Sequence, residues 1–507
     1  MWRTTGMLLV ALAVFSTLTT FGEGGVASAQ TASGTLKWYG QDLPTSWDPV
    51  FSQAGHDVGV LSLAYAGLTR LNQTGGLEPD LASSWSFSKS GLTLTFNIRP
   101  NLTFSDGTPV DANAVKINFD RARTATGSLV ASLLTAITSE TVVSTDVIQL
   151  NLNRLDYSLP LTLAGKAGFL ASPAVIASNP ASLATDPVGA GPFKLTSYTP
   201  DGDATFVKFD NYWDAQDIHI ANIYLSGETA AASILAALQS GQANLAVIQG
   251  NQVAAAKEAG FDVKVVPTFA VTDIEVNNTI RPFTNQLVDE AVGYALNRQS
   301  LVASQTFGYG KVDDEPEPPG YLAYNPAYAD YYTYNPTKAK SLLKQAGYPN
   351  GVGLTISITT SPPPQLAEAL QAQLQAVGIT ATINTIPASE NTTLVYVDHE
   401  EAFATSGFAG REAPIDMLNL GCGPTGLLNP GRDAPAALTN ALTAAAAIPV
   451  GTPAYTKAIQ NVTGLCIKDD ANLFLYSTPD ILAYSENITG LQPYIDYEQF
   501  QGVKIGS

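Results

Sequence analysis

The chain has 507 residues, enough for two or three domains around well-buried cores. Its formal net charge is −19, from 44 acidic against 25 basic residues, which argues against nucleic acid or anionic lipid as a partner. Only 14% of residues are charged, and the abundance of Thr, Ser, Asn and Gln gives a polar, neutral surface that suits an exported protein.

The first residues read as a targeting segment and not as part of the fold. Arg3 supplies a small positive region, Met7 to Phe21 carries no charge, and Ala27-Ser28-Ala29 fits small-x-small cleavage before Gln30. Residues 1–29 are therefore expected to be a cleaved signal peptide, because a membrane anchor needs about 20 apolar residues. No Cys near the cleavage site offers itself for acylation, which points to a periplasmic or extracellular protein. The most apolar later run, Ala436 to Val450, is broken by Thr439, Asn440 and Thr443 and reads as a surface helix.

Thr35 to Tyr39 reads as a first strand ending in Gly40-Gln41-Asp42, and Val58 to Leu71 as a helix with Leu61, Ala64, Tyr65 and Leu68 on one face. Leu92 to Arg99 alternates as a strand does. Asp106-Gly107 is then a tight turn, and Asp111 caps a helix whose apolar face is Val115, Phe119 and Ala122. The glycines of Gly189-Ala190-Gly191 lack the spacing and the Gly-Lys-Ser/Thr ending of a phosphate loop, and read as a turn before a strand. Thr229 to Ser240 is a helix stopped by Gly241, and Leu245 to Ile248 a buried strand. Asp273 to Asn278 is a strand, Leu287 to Asn297 a helix, and Asn335 caps a helix that ends at Gly347. Leu354–Thr359, Pro364–Val377 and Ile379–Ile386 form a β-α-β unit, and Glu401–Thr405 is a strand leading into a loop at Ser406 to Asp416.

Catalytic constellations are thin. His56, His219 and His399 are far apart, and His399-Glu400-Glu401 lacks a second His four residues on, where Phe403 stands. There is no Gly-x-Ser-x-Gly elbow, no Walker loop and no paired-Cys zinc pattern. Cys422 and Cys466, 44 residues apart, form either a disulfide, as an oxidising compartment favours, or two buried thiols.

Several blocks in order carry a resemblance. Phe104-x-Asp106-Gly107-x-Pro109-Val110-x-Ala112-x-x-Val115 closely resembles the signature of bacterial extracellular solute-binding proteins of family five, receptors that feed peptides, nickel and oligosaccharides to ABC importers. Pro79-Asp80-Leu81-Ala82-x-x-Trp85, expected as a turn and short helix, is similar to a further block of that family. So are Gly189-x-Gly191-Pro192-Phe193, the run from Ala291 to Arg298, and Asn335 to Tyr348. The resemblance implies an α/β, bilobed periplasmic-binding-protein type II fold with an inserted subdomain, its lobes joined by crossover strands. It places lobe I at 30–270 plus 480–507, with the insertion at about 72–188, and lobe II at 271–479.

The same resemblance implies the site. Relatives carry a Gly-Trp-x-x-Asp loop in the inter-lobe cleft, whose aromatic packs on ligand and whose Asp pairs with a peptide ammonium. Here the matching positions are Gly407, Phe408 and Arg411, followed by Glu412, so the charge is reversed. A guanidinium suits a carboxylate or phosphate and repels an ammonium. Alternatively, Arg411 bridges Glu412 or Asp416 and never meets ligand. Further candidates at strand ends are Tyr39, Gln41, Asn278 and Cys422.

The chain is thus expected to be a monomeric receptor without cofactor, catalysis or nucleic-acid partner, delivering a peptide or similar anionic solute to ABC permease subunits. Oligosaccharide or a nickel chelate are other cargoes, a sensor kinase another recipient, and a secreted glycosidase-like hydrolase using an Asp/Glu pair the rival from a different class.

Overall fold

The structure is a computed structural model that describes residues 32–506 except 54, 56, 201, 360–363, 433, 470–471, 493 and 495–498; the side chains of 388, 389, 392, 408, 409 and 469 are also outside it. The expected signal peptide and His56 therefore lie outside the described residues.

Residues 32–506 are organised on two large sheets. The first has seven strands in the order Asp262–Val266, Asp480–Tyr484, Leu245–Val247, Ser33–Tyr39, Ile220–Ser226, Asp203–Lys208 and Phe193–Tyr198. The second has six, in the order Lys311–Val312, Asn472–Ser477, Ala270–Val276, Phe403–Ala409, Val352–Thr359 and Ile379–Ile386. A smaller four-stranded antiparallel sheet, Ala82–Phe87, Thr93–Ile98, Val147–Leu152 and Ile137–Ser144, is inserted between strands of the first. The chain passes between the large sheets twice, at 267–269 and at 478–479. The two passages are tied together by Thr268 Oγ1 donating to the Thr478 carbonyl (2.6 Å) and Thr478 N–H donating to Ala270 (2.8 Å).

The turn at Asp106-Gly107 and the helix after it form as the sequence dictates. Gly107 has φ +88°, Asp111 accepts from the Ala114 N–H at 2.9 Å, and Val115, Phe119 and Ala122 are buried beneath Phe104. Gly189 and Gly191 let the backbone lie directly against that of Ala64 and Tyr65, where a β-carbon would collide. They serve close packing, as a turn before a strand requires.

Three local expectations are corrected. The helix expected over Val58 to Leu71 is confined to Asp57–Leu61. Beyond it, the carbonyls of Leu63, Ala64, Ala66 and Gly67 accept from Phe193, Gly191, Leu170 and Leu81, so tertiary partners take the groups a helix would have used. The segment after Asp80 is not a short helix but the strand Ala82–Phe87, with Trp85 opposite Phe96. The strand expected to stop at Thr405 runs to Ala409, because it pairs in register with Ala270–Val276.

One buried segment has a thermodynamic consequence. In Asp313-Asp314-Glu315-Pro316-Glu317 all four carboxyls are at most 2% exposed. Arg298 pairs with Asp314 at 2.6 Å, while Asp313, Glu315 and Glu317 have no cation in ion-pair range among the described residues. Burial and mutual repulsion push Asp313 up to about 10 and Glu315 to about 8, and hold Glu317 well above the usual carboxylate range. The folded state therefore keeps protons that the unfolded chain releases near pH 4, so stability is greatest in mild acid and falls as pH rises toward 8–10. Thermal unfolding is expected to show this loss between about pH 5 and pH 9, at up to about 1.4 kcal/mol per pH unit for each group still protonated in the fold. Asp313→Asn with Glu317→Gln should flatten the profile; an unchanged slope would contradict the assignment.

Candidate functional site

The geometry of the two passages decides which chain segments can meet. Ser33–Tyr39 runs parallel to both neighbours, with Tyr39 beside Ala246, so its C-terminal end points toward the passages. In an open α/β sheet that end is where ligand crevices form. On the second sheet Ala270 pairs with Ala409, and Gly410 N–H donates to Phe269 at 3.2 Å. The short turn Gly410 to Ala413 therefore sits against the first passage, and the helix Pro414–Cys422 starts immediately after it, with Pro at its first position.

Arg411 and Glu412 project from this turn. Tyr321, whose ring packs edge-on against Phe269, donates its hydroxyl to the Glu412 carbonyl at 3.0 Å and fixes the turn. The Glu412 carboxyl is closely packed over Gly165, in a segment that precedes the second sheet by a hundred residues. A β-carbon at Gly165 would collide with it. Next to Gly165, Lys166 donates to the Ser52 carbonyl at 3.1 Å, and Ser52 bonds Asp57 through its hydroxyl. Lys166 faces Asp57, Arg411 and Glu412; burial, only partly offset by the carboxylates, lowers its pKa to about 8. Asp416, one helical turn beyond Glu412, accepts from Thr162 Oγ1 at 2.6 Å and is pushed to about 7 by burial. Two cations and three carboxyls from distant parts of the sequence thus meet across one seam.

Arg411 is not locked into an ion pair with Glu412 or Asp416. It has no carboxylate within 4.0 Å among the described residues, and its Nε is buried without a hydrogen-bond partner. Both carboxyls feel its charge, but only at a distance.

The remaining sequence candidates fall in different places. Gly407 lies within the strand, opposite Thr272, and a β-carbon there would meet nothing within 4 Å. Phe408 follows in the same strand; its side chain lies outside the described part. Gln41 is half-buried at the correct end of the first sheet. Tyr39 is nearby, but its ring packs against Tyr224 (6.1 Å between centroids) and the cluster containing Ile234 and Leu238. Asn278 is a correction. It lies past the far end of Ala270–Val276, about 20 Å of strand from the passage, and its amide is covered by Gly431. Cys422 is another. It ends the helix Pro414–Cys422, is 1% exposed, and is joined to Cys466 with Cα atoms 5.7 Å apart.

Lys166 and Asp57 were missed. The available signal was a single charge in the apolar run Leu159-Pro160-Leu161-Thr162-Leu163-Ala164-Gly165-Lys166-Ala167-Gly168-Phe169-Leu170.

The chain matches the family described as bacterial extracellular solute-binding proteins, family 5, middle part, over residues 76–424. It is 31% identical over 351 residues to the glutathione-binding protein GsiB of Salmonella paratyphi A, and 30% identical to that of Escherichia coli O157:H7, each alignment covering 68% of both chains. Among solved structures it resembles the periplasmic binding protein DppA of Helicobacter pylori in complex with the peptide STSA (TM-score 0.83, 22% identity, 94% of this chain and 99% of that one). It also resembles AgaA of A. tumefaciens R10 in complex with agropinic acid (TM-score 0.81, 23% identity, 94% and 99%). With its two sheets, its double passage and a match over more than half its length, the chain belongs to the bacterial extracellular solute-binding proteins of family 5.

Proposed function

We propose that this protein is an exported receptor that captures an anionic peptide of the glutathione class between two lobes, 30–270 plus 480–507 and 271–479, and hands it to an ABC permease. The observation that carries this reading is the pairing of Lys166 with Arg411 across the seam. The Arg411 charge disfavours the charged form of Lys166, and Arg411 keeps an unused Nε–H in a buried position. A ligand carboxylate placed between them accepts from the unused Arg411 N–H and offsets the repulsion between the two cations, and it bridges the two lobes, so its binding favours the closed form. Glu412 and Asp57 on either side suit an ammonium group, so the set as a whole matches a peptide bearing both charges. Glutathione has two carboxylates and one ammonium, and the relatives named for binding it align with this chain at 30–31% identity. No reported relative is a hydrolase. A cleaved signal peptide, a monomeric state and a place outside the cytoplasmic membrane belong to the same proposal; among the described residues no helix is long and apolar enough to cross a membrane.

Calorimetry with glutathione, an uncharged capped tripeptide and a cationic tripeptide tests the reading. Glutathione is expected to bind tightest, and Arg411→Ala to weaken it by roughly 2–5 kcal/mol, a 30-fold to several-thousand-fold loss. Equal affinity for all three peptides, or no effect of the substitution, would overturn it. Affinity should also fall as pH rises past about 8, because Lys166 then loses the charge that attracts the carboxylate. Lys166→Arg should remove that dependence, and a pH profile identical to wild type would count against Lys166.

A further inference from the structure

On the face of the second sheet away from the helices Gln286–Ala295 and Gln365–Gln375 lies a set of oxygen atoms that ligand capture does not use. Asp273 and Glu275 stand two residues apart on one strand, so they share a face, while Ile274 and Val276 point into the opposite core. They are 0% and 1% exposed, and no oxygen of either carboxyl completes a hydrogen bond. Neither has a Lys or Arg in ion-pair range among the described residues. Asn472 pairs directly with Glu275 from the neighbouring strand and so lies on the same face. Its amide N–H₂ is committed to the carbonyls of Leu428 (3.1 Å) and Gly421 (3.3 Å). That turns Oδ1 the other way, where it is buried with no partner although Asn472 is only 3% exposed. From the other side Ser406 sits opposite Asp273, its hydroxyl 3.2 Å from that of Tyr396. One of these hydroxyls donates to the other, which leaves a single spare O–H beside Glu275.

Five buried oxygens without a completed hydrogen bond thus lie on one face of adjacent strands, with one spare hydroxyl proton beside them and a formal charge of −2 in a dry interior. Ionised carboxylates cannot persist there unpaired. Even with both carboxyls protonated, three O–H donors would face five acceptors. We propose that Asp273, Glu275 and the Asn472 carbonyl, with Ser406 and Tyr396 beside them, bind one hard divalent cation of the calcium class. The chemistry fits: oxygen ligands only, two of them anionic, a neutral amide carbonyl and hydroxyls completing the shell. The ion would pin the strands Ala270–Val276, Phe403–Ala409 and Asn472–Ser477 together, about 10 Å along the sheet from the passage at 267–269.

The test uses the full mature chain, stripped with chelator and dialysed against calcium chloride, with magnesium and sodium chloride as comparisons. About one calcium per chain is expected, with a saturable rise in unfolding temperature that sodium does not reproduce and Glu275→Gln abolishes. Terbium, a luminescent stand-in for calcium, should be sensitised by Tyr396, and Tyr396→Phe should remove most of that emission. This second readout holds even if Glu275→Gln fails to fold. No bound calcium together with an unfolding temperature indifferent to calcium and chelator would overturn the proposal and leave protons as the neutralising species. Terbium emission unchanged in Tyr396→Phe would place the ion elsewhere and equally overturn it.

Discussion

The two short passages at 267–269 and 478–479 are hydrogen-bonded to each other, and the working geometry depends on that bond pair. Because Thr478 is tied to Ala270 and to Thr268, the edges of both large sheets are held at a fixed separation there. Strand direction does the rest. Ser33–Tyr39 must deliver its C-terminal end to the passages, and Phe403–Ala409, antiparallel to Ala270–Val276, must deliver Gly410 and Arg411 to the same place. Asn278 lies elsewhere by the same logic, since a strand that starts at the passage ends far from it.

Most of the fold was legible because local signals and long-range packing agreed. The Asp111 cap, the Gly107 turn, the β-α-β unit around Gln365–Gln375 and the apolar stripe of Val115, Phe119 and Ala122 each formed as their chemistry dictates. The failures share one cause. At Ala64 to Gly67 and at Gly407 to Ala409 the backbone groups found partners from distant segments, and those partners outvoted local propensity.

The site was only half legible. Arg411 announced itself by reversing the charge of a family position. Lys166 and Asp57 carried no motif, because their meaning comes from which segment lies opposite them, and that is set by the insertion packing on the second sheet's helices. Leu161 and Ala164 are buried in the same cluster as Ala413, Ile415 and Leu418, and this apolar contact brings Lys166 up to the Arg411 turn. In the proposed reading, charge recognition depends on hydrophobic docking by residues outside the charged set. The formal charge of −19 also overstates what the folded chain carries near neutrality, since Asp313, Glu315 and Glu317 are buried where ionisation is unfavourable.

The central claim is that a ligand carboxylate comes to rest between Lys166 and Arg411. The most direct measurement is the titration of the Lys166 ammonium by NMR on selectively labelled protein, without and with glutathione. Without ligand its pKa should lie near 8, depressed by burial. With ligand it should rise toward or above the ordinary lysine value of about 10.4, because an anion now stabilises the charged form. A pKa that stays where it was, or falls further as the site closes, would contradict the account.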